Sequence, residues 1–127
     1  WQMCAGLEIS PAGVVRLWNN DGSKTFVETG FVCPAYDGKS PAYMVTFKTG
    51  RGNGWDFDDI FFPETTTTAD AGATIPDAFW GRYGAARNVL YLGACWTNAG
   101  LAGLFACNFH NPTSNANGSI GCRLART

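Results

Sequence analysis

Charge is what this chain has least of. Asp, Glu, Lys and Arg make up 15% of its 127 residues, well under the usual quarter. Nine basic against ten acidic side chains leave a formal net charge of −1. No electrostatic footprint for nucleic acid or an anionic membrane follows from that balance. No apolar run approaches the length of a membrane-spanning helix, so membrane insertion by this domain is not expected. Cysteine is present in an odd number, as Cys4, Cys33, Cys95, Cys107 and Cys122, without C-x-x-C spacing. Neither a disulfide framework nor a zinc ribbon is signalled, and the expected state is the free thiol, used as a small hydrophobe. No nucleophile elbow, no H-E-x-x-H and no Ser/His/Asp arrangement is present, so no catalytic residue, metal ligand or cofactor is expected. No signal peptide precedes Trp1, and the missing initiator Met suggests a processed chain or excised domain with targeting or anchoring sequence upstream.

What is present points to short strands. The hydrophobic fraction is 46% and the aromatic fraction 14%, with sixteen glycines and six prolines, a composition of many turns in one domain spanning residues 1–127. "GLEIS", the turn Pro11-Ala12-Gly13 and "VVRLW" predict two strands. "KTFVETGFVC" alternates around Phe26, Phe31 and Cys33, and "PAYMVTFK" puts Tyr43, Val45 and Phe47 on one face. "TGRGNG" up to Gly54 reads as a connector loop, since no helix follows to make a phosphate site. "WDFDDIFFP" predicts a strand burying Trp55, Phe57 and Phe61, with Asp56, Asp58 and Asp59 as a solvated face rather than a calcium site, which needs six to eight oxygens. "ETTTTADAGATIP" reads as a polar loop, and "DAFWGRYGAARN" as an N-cap at Asp77 with one short helical turn.

Residues 1–89 thus form a scaffold, and residues 90–127 carry the segment of interest. From Leu90 to Arg123 there is no Lys, Glu, Gln, Met or Asp, while Asn recurs at 98, 108, 111, 115 and 117. That is closer to an antibody paratope than to an ordinary strand pair. Alternation sets Leu90, Leu92, Ala94 and Trp96 against Tyr91, Gly93, Cys95 and Thr97. It then sets Phe105, Cys107 and Phe109 against Ala106, Asn108 and His110, and Asn115, Asn117 and Ser119 against Ala116, Gly118 and Ile120. Three uncharged rows of amides and small side chains result.

The segment "LGACWTNAGLAGLFACNFHNPTSNANGSIGCRL" resembles the C-terminal variable region of diversity-generating-retroelement target proteins. Gly93, Trp96, Asn98, Ala102-Gly103-Leu104-Phe105, Asn108, Asn111, Ser114-Asn115, Asn117, Ile120-Gly121 and Arg123-Leu124 match that pattern in register. The upstream "WDFDDIFFP", the Thr-rich loop and "DAFW" are also similar to the segment preceding it, so the resemblance runs from Trp55 onward. Ala94 and Ala99 depart from it where Gly is usual, and Cys107 where Leu is common.

The resemblance implies an α+β fold of C-type-lectin type, mostly short antiparallel strands and loops with little helix, on which a hypervariable surface is displayed. In that family a template copy is reverse transcribed with errors at adenines and replaces the expressed segment. Asn codons then reach Asn, Thr, Ser, His, Leu, Phe, Ala, Gly or Cys, but not Lys, Glu, Gln, Met or Trp, in keeping with the composition here apart from Trp96. Matched by position, the ligand-binding candidates are Cys95, Thr97, Asn98, Leu101, Ala106, Asn108, His110, Asn111, Asn115, Asn117 and Ser119. Trp96, Phe105, Gly121 and Arg123 match the constant scaffold. The implied function is recognition of a protein or glycan ligand on another cell or particle, with display on a phage particle or cell surface. Two alternatives stand beside it. A sugar-binding C-type lectin lacks its E-P-N or Q-P-D triplet here, and a cysteine-dependent sulfatase-activating oxidase would draw on Cys95, Cys107 and Cys122.

Overall fold

The computed structural model describes residues 2–19, 23–35, 42–58, 60–81, 88–93, 103, 105–112 and 114. Ten strands account for most of them: β1 (Gln2–Ile9), β2 (Val14–Trp18), β3 (Phe26–Val32), β4 (Ala42–Phe47), β5 (Arg51–Gly52), β6 (Trp55–Asp56), β7 (Pro63–Thr67), β8 (Ile75–Trp80), β9 (Asn88–Leu92) and β10 (Cys107–Asn108). One 3-10 turn, Asp70–Gly72, is the sole helical element among the described residues. The expected α+β fold of C-type-lectin type is therefore corrected to a nearly all-β, curled sheet. Its physical cause is visible at β8. The N-cap chemistry read at Asp77 is overridden because Phe79 pairs with Ala42 of β4 on one side and Cys107 of β10 on the other.

Eight strands form one sheet in the order β3-β2-β1-β9-β10-β8-β4-β7, and β5 pairs with β6 separately. All neighbours are antiparallel except β10 and β8, which run parallel. The first hairpin follows from its sequence. Leu7 and Ile9 on β1, and Val15 and Leu17 on β2, are all buried, as period-two alternation requires. Between them Ser10 holds the turn, its carbonyl accepting from the Gly13 amide at 2.9 Å and its Oγ from the Val14 amide at 3.1 Å. Gly6, at φ 94°, lets β1 bend so that its start pairs with Leu90–Leu92 while its end pairs with both β2 and β9. A Cβ-bearing residue adopts that φ only at a steric cost.

The sheet curls around an aromatic core. Phe31 of the edge strand β3 lies 5.9 Å, ring to ring, from both Phe57 and Phe62, and Phe62 immediately precedes the opposite edge strand β7. Phe62 in turn meets Phe109 at 5.2 Å, and Phe109 meets Phe79 at 6.2 Å. Tilted and edge-to-face pairs of this kind are favoured by the ring quadrupoles. Each fully buried Phe contributes about 1.5–3 kcal/mol through the water it excludes. Lys48 extends its ammonium over the Phe31 ring at 5.1 Å and pairs with Glu64, so the two edge strands are also bridged through this side chain.

Several local expectations change. The Thr-rich segment read as a loop begins with β7, where Thr65–Thr67 pair with β4 and Thr65 Oγ1 meets Thr46 Oγ1 at 2.7 Å. β-Branched residues suit a pleated edge. "WDFDDIFFP" is strand over Trp55–Asp56 and again at Pro63, where β7 begins; between them the Ile60 amide donates to Phe57 O and the Phe62 amide to Ile60 O. Phe57 and Phe62 are thereby buried, while Phe61, expected inside, is 63% exposed. On β4 the deeply buried pair is Ala42 and Met44 rather than Tyr43 and Val45.

Candidate ligand-binding site

The described part of the C-terminal segment is held at the centre of the sheet. Cys107 and Asn108 pair with Leu92 and Tyr91 on β9 and with Phe79 and Trp80 on β8. Strands flanked on both sides, with both faces covered, bury every side chain rather than alternate ones. Ala106, Cys107, Asn108 and Phe109 are all buried in succession. The row of Ala106, Asn108 and His110 is therefore corrected: Ala106 is 0% exposed and Asn108 8%, so neither forms a surface, whereas His110 is exposed.

What turns His110 outward is a bulge. Between the Asn108–Tyr91 pair and the Pro112–Asn88 bridge, three residues on one strand oppose two on the other. An extra residue of this kind re-aims a side chain. The Asn108 carboxamide oxygen accepts from the His110 amide at 2.7 Å, and the buried Asn88 donates through Nδ2 to Phe109 O at 2.6 Å. The Val89 amide then donates to Asn111 O at 3.3 Å. After His110, Asn111 and Pro112 are half-buried and Ser114 exposed, so a polar rim begins at His110.

Phe105 is fixed from the other direction. Its amide donates to Asp77 Oδ2 at 2.8 Å, and its ring lies 5.0 Å from Phe61, which lies 5.5 Å from Phe47. Gly103 sits so close to the Asp77 carboxylate that an added Cβ would overlap it. The scaffold role expected of Phe105 thus depends on Asp77, whose N-cap reading in the sequence gives no sign of this partner 28 positions away.

A cavity of about 1070 Å³ opens beside Phe105. One wall is the sheet, including Leu90 and Leu92 of β9; the other includes Trp55 and Ile60, with Trp18 and Phe61 also lining it. The β5–β6 hairpin builds that second wall. Its Gly52–Trp55 pair encloses a two-residue turn of Asn53 and Gly54, the latter at φ 82°. Asn-Gly is the strongest short hairpin signal, and it was legible within the stretch read as a plain loop. Arg51 spans Asp56 at 3.5 Å and Asp58 at 3.0 Å. Asp58 also accepts from the Gly50 amide, and this bond, then the Arg51 hydrogen bond and charge, hold its carboxyl below the ordinary range. The acidic residues thus close the hairpin. Asp59 lies outside the described residues.

Cys33 and Cys107 are free and buried, and burial pushes both thiols above the ordinary range. For Cys107 the neighbouring Cys33 and Asp77 act in the same direction. Buried thiols raised in this way pack rather than react. Among the described residues no three His, Cys, Asp or Glu side chains converge on a possible metal position.

Of the other sequence-derived candidates, Cys95, Thr97, Asn98, Leu101, Asn115, Asn117 and Ser119 lie outside the described residues, as do Trp96, Gly121 and Arg123. The structure brings together Phe105, Ala106, Asn108, His110 and Asn111. Trp18, Trp55 and Phe61 were missed as a lining because each was read as core or strand. No family model, curated protein or solved structure matches the chain.

Proposed function

We propose that this chain is a non-enzymatic ligand-binding module whose C-terminal segment is an exchangeable contact surface, diversified by a retroelement and directed at a protein or glycan on another cell or particle. The observation that carries the reading is composition. Residues 90–123 hold five Asn and no Lys, Glu, Gln, Met or Asp, which suits substitution from Asn codons at adenines, Asp being the one exclusion that route does not explain. The resemblance in register from Gly93 to Leu124 supports the same reading. It does so independently of a C-type-lectin fold. The rim starting at His110, next to the buried residues Ala106 to Phe109, supports it as a base on which small polar side chains can vary without loss of the core.

The test is made in DNA. Codons for Cys95, Thr97, Asn98, Leu101, His110, Asn111, Asn115, Asn117 and Ser119 are expected to keep a pyrimidine third base. A near-repeat beside a reverse transcriptase gene is expected to carry adenine wherever the two copies differ. Purines at many of those third positions, or no such repeat, refute the proposal.

A further inference from the structure

We infer that the cavity beside Phe105 is a second binding site, for a neutral, ring-bearing apolar small molecule. Neither His110 nor Asn111 lines it, and neither reading needs the other. Its volume of about 1070 Å³ reaches the upper end of small-ligand sites. Its lining is aromatic and aliphatic: Trp18, Trp55, Phe61, Leu90, Leu92 and Phe105. Two of these large side chains remain open to solvent, Trp18 at 41% and Phe61 at 63%. Exposed rings that converge on one hollow mark a binding surface more often than scattered single ones do.

Charge selects the class of ligand. Among the described residues of the lining, Arg51 and Asp56 are the charged ones, and the guanidinium is already engaged by Asp56 and Asp58. The guanidinium is thus shared between two carboxylates, and these residues bring no excess positive charge to the cavity. A fatty acid or a phosphate ester gains from them no cation that is not already paired, and gives up the hydration of its charge on entering. An uncharged ring avoids that cost and stacks on Trp18 or Phe61, since offset and edge-to-face contacts favour flat partners. The wall is also braced, with Trp18 against Phe26 at 5.1 Å and Phe61 against Phe105 at 5.0 Å, so little ordering cost accompanies binding.

The experiment titrates the intact chain with Nile red, a neutral fused-ring dye, following its emission, and in parallel with the anionic dye 1-anilinonaphthalene-8-sulfonate and with palmitate. Saturable one-to-one binding of Nile red is expected, with a Kd in the low micromolar range typical of a drug-sized ligand. The two anions are expected to bind about tenfold more weakly at low salt. Trp18→Ala and Phe61→Ala, made separately so that one serves if the other fails to fold, are each expected to weaken Nile red about tenfold through lost apolar contact, with the far-ultraviolet circular dichroism unchanged. Absence of saturable binding overturns the inference, as do full affinity in both folded variants or tighter binding of either anion than of Nile red. None of these outcomes bears on the codon test.

Discussion

The contact between Asp77 and Gly103 yields a prediction with a definite sign of coupling. Asp77 accepts the Phe105 amide at 2.8 Å, and Gly103 abuts the same carboxylate. Removing the acceptor with Asp77→Ala forfeits a charge-assisted bond, which contributes about 1.5–3 kcal/mol; half-burial of Asp77 places the loss near the lower figure. Gly103→Ala inserts a methyl against the carboxylate, and overpacking of this kind costs about 1–3 kcal/mol. Because φ at Gly103 is not positive, the alanine also restricts the unfolded chain, which returns about 0.4–1 kcal/mol. The two single variants are thus each expected to lose about 1–2 kcal/mol. In the double variant the overlap disappears with the carboxylate. Its total loss is expected to fall short of the sum by about 1 kcal/mol or more. Urea unfolding followed by tryptophan emission measures all four proteins, with a constant m value required for comparison. Asp77→Asn serves as control, keeping both the shape and an acceptor oxygen, so its pairing with Gly103→Ala is expected to be additive. Additivity within about 0.5 kcal/mol for the alanine pair would refute the close approach.

The hairpin provides a pH prediction. Asp58 has its carboxyl lowered by the Gly50 amide and Arg51, so the closure it provides is complete above the ordinary carboxylate pKa of about 3.9 and is lost as pH falls through the lower folded value. The Gly50 amide resonance, titrated downward, is expected to show a midpoint below that ordinary value and to lose the transition in Asp58→Asn; a midpoint at or above it refutes the assignment. A second prediction separates two neighbours in the segment. Asn108→Ala removes the acceptor for the His110 amide from a buried position and is expected to cost about 1–3 kcal/mol. His110→Ala, on the exposed rim, is expected to stay within about 0.5 kcal/mol of the parent. Equal thermal shifts in the two would mean that the bulge is misplaced.

The parts of the fold legible from sequence are those where one neighbour decides the outcome. β1, its Pro11–Gly13 turn and β2 follow from local alternation and turn chemistry, and the burial of Leu7, Ile9, Val15 and Leu17 agrees with it. The β5–β6 hairpin was equally local. Asn53-Gly54 marks it, and the connector reading of "TGRGNG" rests on the want of a following helix and leaves this turn geometry out of account. β8 was not local in this sense. Asp77 offers good N-cap chemistry, yet the strand state is chosen by two flanking partners, one of which lies about thirty residues further along the chain.

The C-terminal segment shows why the same logic limits the reading of a binding surface. Period-two alternation assigns faces only where one side of a sheet meets solvent. β10 lies between β9 and β8 under cover on both faces, so Ala106 and Asn108 look variable in sequence and yet are enclosed. The change from enclosed to exposed occurs at the bulge, which depends on Asn88, some twenty residues earlier, reaching Phe109 O. On the proposed reading, the exchangeable part of the stretch from Phe105 to Ser114 therefore begins where tertiary hydrogen bonds release the backbone, at His110, and not where the polar row begins. The matched Asn at 108 then has a structural duty, bonding the His110 amide, which a substitution to Ala, Leu or Phe would not perform. Its retention would be selected for folding even while its codon remained open to change.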